Sequence, residues 1–288
     1  MKRILLYTIV ASLVVITISG GVLIWLHDSE EIPQPMVAEP VTMRLIETGQ
    51  VMGGYGKHGA RAWLGIPYAA PPLGRLRWMP PEPPVPSSTI LRTTSAGNIC
   101  PQYIQDDLAS TGHAAFRLPG QEDCHSLNVW SAPNAADAPV MLWLHGGGNT
   151  VGQGDIHDGS LLAARQGVVV VTINYRLGVL GWFAEPSLRT GDPVSDSGNF
   201  GLLDILRALQ WVQDNISKFG GNPENVTLFG ASAGGADTLA VLASRRAKHL
   251  VHRAIVQSGS YRPTILEAQA TSLSGEGWAH TYTAKLEA

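Results

Sequence analysis

Five short apolar runs punctuate the middle and end of this chain. They are "SLNVW" (126–130), "VMLWLH" (140–145), "VVVVTIN" (168–174), "VTLFG" (226–230) and "AIVQSG" (254–259), each closed by turn residues. Runs this short and apolar fit strands buried on both faces. Between them the period changes. "LLDILRALQWVQDNISKF" (202–219) sets Leu202, Ile205, Leu206, Leu209, Val212 and Ile216 at helical spacing. A second helix is expected from near Gly235 through "ADTLAVLAS". Strands alternating with helices predict an α/β fold, with a mostly parallel central sheet and helices on both faces. Ligands in such sheets bind beyond the carboxyl ends of the strands. Upstream, "VTMRLIETG" (41–49) and "ARAWLGIPY" (60–68) read as an early strand pair. "PPLGRLRWMPPEPPVPSS" (71–88) holds too many prolines for regular structure and reads as an extended surface segment.

The first 27 residues break this pattern. After Lys2 and Arg3 the chain runs without charge from Ile4 to Leu26. At 1.5 Å per residue a helix of that length reaches roughly 34 Å, enough to cross a hydrocarbon core of about 30 Å. Residues 1–27 therefore read as a transmembrane signal-anchor. The alternative is a cleaved signal peptide, with Ser19, Gly20 and Gly21 at the cleavage region. Basic residues precede the span, and Asp28, Glu30 and Glu31 follow it. That asymmetry puts the remainder outside the cytosol, either anchored in the membrane with a periplasmic or extracellular domain, or secreted after cleavage. Residues 28–41, polar and proline-broken, read as a linker, and 42–288 as one domain.

Composition narrows the partners. A 44% hydrophobic content supports a sizeable single core. A formal charge of −3, with no run of one sign, argues against nucleic acid and offers no polybasic membrane patch. The two cysteines, Cys100 and Cys124, favour a disulfide in an exported domain, with two reduced, buried thiols as the alternative. Neither has histidine or cysteine at ligand spacing, so no metal is expected.

Two glycine-rich stretches carry the chemistry. Gly230-Ala231-Ser232-Ala233-Gly234 follows one apolar run and precedes a helix. A serine on a sharp strand-to-helix turn needs small neighbours, because adjacent backbone crowds it. By chance G-x-S-x-G arises roughly 0.25 times in such a chain, so its placement says more than the pattern. His145-Gly146-Gly147-Gly148 follows another run, upstream of the serine. There, backbone free of side chains can turn its N–H groups toward a developing oxyanion.

With these motifs the chain resembles the type-B carboxylesterases, the cholinesterase-like branch of the α/β-hydrolases. The resemblance runs from about residue 42 onward. It is carried by "LGIPYAAPPLGRLRW", "EDCHSLNVW", "LWLHGGG", "NYRLGVLGWF", "GNFGLLDILRALQWVQDNISKFGGNPENVTLFGASAGG" and "HRAIVQSGS". It implies a carboxylic-ester hydrolase working through an acyl-enzyme, with no cofactor or metal. It makes Ser232 the nucleophile, the N–H groups of Gly147, Gly148 and Ala233 the oxyanion hole, and Cys100–Cys124 the first disulfide. Ser258 matches a buried serine that supports the triad acid. Ala231 stands where the family usually has glutamate, and Asn149 where an aromatic often follows the glycines. An inactive cholinesterase-like binding or adhesion domain is the alternative, against which the retained Ser232 and three glycines argue.

A nucleophilic serine needs a histidine base and a carboxylate to orient it. In the family both lie far downstream of the serine, whereas 56 residues follow Ser232 here. The expectation is an N-terminal portion that alone hydrolyses esters barely or not at all. The local histidines are poor substitutes: His249 and His252 read as surface or packing residues, and His145 as a brace for its turn. His125 reads as a variable position, His157 as part of a solvated loop, and His280 as a residue of a helical tail.

Overall fold

The computed structural model describes residues 35–106 and 115–260. The expected anchor over 1–27, the first half of the linker (28–34) and His280 lie outside the described residues. No helix among the described residues is long and apolar enough to cross a membrane.

The described residues from Met36 onward form one compact unit. The last part of the expected linker is therefore folded: Glu39 N–H donates to Gly53 O, and the buried Thr42 hydroxyl donates to the carbonyls of Glu39 and Gly53. Twelve strands follow: β1 (Arg44–Ile46), β2 (Gly49–Met52), β3 (Gly54–Tyr55), β4 (Arg61–Pro67), β5 (Leu91–Arg92), β6 (Ile104–Asp106), β7 (Ala115–Arg117), β8 (Ser126–Ser131), β9 (Ala138–Leu144), β10 (Val169–Ile173), β11 (Gly221–Ala231) and β12 (Arg253–Gln257). The α-helices are α1 (Ser160–Gln166), α2 (Gly178–Gly181), α3 (Phe200–Asn215) and α4 (Ala233–Ala243). Helix α4 begins two residues before the expected Gly235, directly after Ser232.

Seven strands form the main sheet in the order β12-β11-β9-β10-β8-β4-β3. The pairings β12–β11, β11–β9 and β9–β10 are parallel, and β10–β8, β8–β4 and β4–β3 are antiparallel. The expected mostly parallel sheet is thus half parallel among the described residues. Connections explain the division: β9, β10, β11 and β12 are linked through helical segments, which permit parallel return, whereas irregular chain joins the earlier strands. The early strand pair also needs correction. β1 pairs with β2 in a separate three-stranded sheet, while "ARAWLGIPY" pairs with β3 and β8. A tight turn next to β1 offers a nearer partner than a strand fifteen residues on. The proline-rich segment is irregular apart from one 3-10 turn at Gly74–Leu76.

Alternation along β10 separates the two faces. Val169, Val171 and Ile173 join the large core with Val140, Leu142, Leu144, Ile205, Leu209 and Val212, placing α3 on that side. Val170 packs with Ala163 of α1, Trp130 and Ala62 on the other. Strands β8 and β10 are buried on both faces as expected, but β9 and β11 alternate buried with half-buried positions. The edge strand β12 is exposed throughout.

One buried charged group interrupts the apolar face of α3. Asp204, with no exposed surface, accepts from Arg176 Nε at 2.8 Å, Arg176 Nη2 at 2.6 Å and the Arg176 backbone N–H at 3.0 Å. His125 Nε2 lies 3.1 Å from the same carboxylate, and its Nδ1 is 3.0 Å from Ala70 O. His125 is thus a buried member of an ionic cluster, not the variable position expected. Burial alone would raise the Asp204 carboxyl; His125 and Arg176 outweigh it and hold the group below the usual carboxylate range. Asp204→Asn leaves the buried Arg176 guanidinium without its anion and is expected to cost about 3–5 kcal/mol. Urea unfolding at neutral pH measures it, and a loss below about 1 kcal/mol would refute the role.

Candidate active site

The site forms where β9 and β11 end side by side, with Leu144 opposite Gly230 in register. Beyond Ala231 the chain reverses into α4 through Ser232, whose φ of 55° and ψ of −118° form a strained backbone for a non-glycine residue. Two bonds hold the turn: Ser232 N–H donates to Gln257 O at 2.8 Å, and Ala236 N–H donates to Ser232 O at 3.0 Å. The serine side chain does not cap its helix, and no described side chain hydrogen-bonds its hydroxyl. Oγ therefore stands exposed and uncommitted at the head of the turn.

The glycines let two backbones meet. A Cβ on Gly234 would collide with the carbonyl oxygens of Leu144 and His145. A Cβ on Gly146 would lie 2.9 Å from Ala231 O and 3.3 Å from Ser232 Cβ. The three-glycine loop is thus pressed against the serine turn. It curls through positive φ at Gly147 (107°), Gly148 (64°) and Asn149 (58°), and Gly147 O accepts from the N–H groups of Thr150 and Val151. Among the described residues, the N–H groups of Gly147, Gly148 and Ala233 donate to no acceptor. Ala233 is the first residue of α4, where helix geometry leaves the N–H free. Three backbone N–H groups without acceptors thus lie on the two segments that meet at the serine turn.

His145 braces this loop from below. Its ring stacks on Tyr175 with centroids 4.4 Å apart, Nδ1 is 2.8 Å from Gly146 O, and the Tyr175 hydroxyl donates to His145 O at 2.6 Å. Burial lowers its pKa from 6.5 to about 4, against the opposing bond to Gly146 and with a small push from His157. His252 accepts from Val226 N–H on Nδ1 at 3.2 Å, a packing role. The His157 ring packs edge-on to Trp143. None of these histidines bonds Ser232.

Cys100 and Cys124 are joined in a disulfide with Cα atoms 5.0 Å apart. Ser258 departs from expectation. It follows the edge strand β12 at φ 52° and is exposed rather than buried, because no described element covers that edge. Asp237 on α4 was not singled out from the sequence. It is buried, its Oδ1 accepts from Asn149 Nδ2 at 3.0 Å, and burial pushes its carboxyl up to about 7 despite that bond. Its signal was a lone charge in an otherwise small and apolar helix.

His145 sets a pH dependence. Between its ordinary 6.5 and about 4, the unfolded chain takes up a proton that the folded chain refuses. Its contribution is complete above that window and lost as pH falls through it, by up to about 3 kcal/mol. His145→Phe keeps a ring against Tyr175 without the proton, so its stability should fall less than wild type between about pH 7 and about pH 4.5. Equal losses in chemical unfolding at the two pH values would refute this.

Comparison with known proteins agrees with this geometry. The carboxylesterase family model matches residues 40–283. Carboxylesterase 1C of Rattus norvegicus is 42% identical over 252 residues, covering 82% of this chain and 45% of that protein. Para-nitrobenzyl esterase of Bacillus subtilis (strain 168) is 45% identical over 240 residues, covering 81% and 47%. A solved PNB esterase structure superposes with a TM-score of 0.72 at 41% identity, covering 85% of this chain and 48% of that one. The chain spans about half the length of these relatives. It belongs to the carboxylesterase family.

Proposed function

We propose that this chain carries the nucleophile and oxyanion hole of a serine carboxylic-ester hydrolase. One observation carries the reading: an exposed serine on a strained strand-to-helix turn, against which the three-glycine loop packs backbone to backbone. In the reaction, Ser232 Oγ adds to the ester carbonyl carbon and its proton passes to a histidine base. The oxygen of the tetrahedral intermediate takes the charge and accepts from Gly147, Gly148 and Ala233, each such donor being worth about 2.7–4 kcal/mol. Collapse expels the alcohol, which takes the proton back, and water then releases the acid from the acyl-serine. The base and its carboxylate partner come from outside the described residues, since no described histidine bonds Ser232.

A cavity of about 540 Å³ supports an ester with an apolar part. Trp78, Tyr103, Leu118, Leu177 and Leu180 line it, and Thr150, two residues beyond Gly148, opens onto it. The relatives' names point to esters as unlike as para-nitrobenzyl, cocaine and fumonisin B1, which supports the ester class rather than one compound. The charge asymmetry around residues 4–26 supports a domain outside the cytosol, anchored or secreted. The Cys100–Cys124 disulfide fits such an oxidising compartment.

The test uses the open reading frame carried to its stop codon. Its product should label with a fluorophosphonate and hydrolyse a p-nitrophenyl ester. Ser232→Ala should abolish labelling and lower kcat on the order of a million-fold. An unlabelled wild-type protein would favour the binding-domain alternative.

A further inference from the structure

The helix behind Ser232 contains one charged residue, and the structure ties it to the oxyanion loop. Asp237, 4% exposed, sits on α4 five positions after the serine. Its Oδ1 accepts from the side chain of Asn149, the residue that follows the three glycines. Asn149 is held again through its backbone, since Gly178 N–H of α2 donates to Asn149 O at 2.6 Å. The segment bearing two of the three donors is therefore fastened to the nucleophile helix on one side and to α2 on the other. We propose that Asp237 is a positioning residue for the oxyanion hole, acting through Asn149 to fix the glycine loop relative to Ser232. This rests on the hydrolase reading above.

The unsatisfied atoms identify the chemistry of the contact. Asn149 Oδ1 and Asp237 Oδ2 are both buried without partners. A carboxylate cannot donate, so ionisation would leave both atoms unmatched in a buried site. A protonated carboxyl has one O–H to give, and the free amide oxygen of Asn149 is the acceptor on the same partner. The pair then closes as a neutral acid–amide unit. Burial, which pushes Asp237 up to about 7, favours that form. Tyr175, the titratable group that feels the Asp237 charge, has its hydroxyl committed to His145 O and stays neutral.

An amide at position 237 preserves both the donor and the acceptor, whereas a methyl group removes them. In the complete gene product, Asp237→Ala should lower kcat about 10- to 100-fold with KM nearly unchanged, as a misplaced oxyanion hole requires. Asp237→Asn should stay within about threefold of wild type, and Asn149→Ala should match Asp237→Ala without adding to it. An unchanged kcat in Asp237→Ala, or equal losses in Asp237→Asn and Asp237→Ala, would overturn the proposal. Hydrogen exchange in the 288-residue chain provides a readout independent of catalysis. The amides of Thr150 and Val151, which donate to Gly147 O, should exchange about tenfold faster in Asp237→Ala than in Asp237→Asn, and equal rates would overturn the contact. If Ser232→Ala instead retains full esterase activity, the hydrolase reading fails while the exchange result still judges the clasp.

Discussion

Everything at this site depends on a backbone contact that no side chain could share. Where β9 ends, the carbonyl oxygens of Leu144 and His145 occupy the space a Cβ on Gly234 would take, and a Cβ on Gly146 would lie 2.9 Å from Ala231 O. Two adjacent parallel strands normally keep about 4.8 Å between their backbones. Here the segments leaving them fold onto each other at their carboxyl ends. That contact sets the distance from the glycine loop to Ser232. A methyl group at Gly234 would push against two carbonyls fixed by the sheet, so the loop would have to move. The strained φ at Ser232 belongs to the same arrangement, because the serine must leave the strand before the helix begins.

The segment after β10 supports that contact from three directions. Asn174 accepts from Gly154 N–H and donates to Asn98 O. Tyr175 lies under His145, and Arg176 clamps Asp204 on α3. Three consecutive residues thus join the loop after β9, the core helix and the earlier chain. Buried acids meet opposite fates around them. Asp204 faces an arginine and a histidine and stays ionised. Asp237 faces only an amide, and burial raises its pKa instead. Desolvation acts on both carboxylates, and the availability of cations decides the protonation state of each.

What could be read from the sequence follows from what periodicity records. The five apolar runs all became strands of the main sheet, four of them with buried positions and β12 exposed at its edge. An apolar run does not show the direction of the neighbour, so the antiparallel half of the sheet stayed hidden. The glycine motifs located the serine and the loop because close backbone approach leaves a mark in residue size. His125, Arg176 and Asp204 lie 79 positions apart at their extremes, and their meeting is a tertiary event with no local spacing. Asp237 was hidden for a similar reason, since its partner Asn149 lies 88 positions away on another strand end. Ser258 failed differently: a residue's burial depends on what lies over it, and β12 is uncovered among the described residues.

The geometry also separates two parts of ester hydrolysis that are usually considered together. Polarising the carbonyl and holding the oxyanion require only backbone donors fixed near the serine. In the proposed reaction a single pair of strands and one helix would supply these. Activating the hydroxyl requires a base whose position depends on other segments of the chain. The first capacity is therefore local to the β9–β11 contact, and the second is not. In serine hydrolases that lose the base, the oxyanion hole and binding alone keep roughly a thousand-fold or more over water, far below the intact unit. The two parts are not additive, because a well-placed oxyanion hole has little to stabilise until a proton can leave the serine.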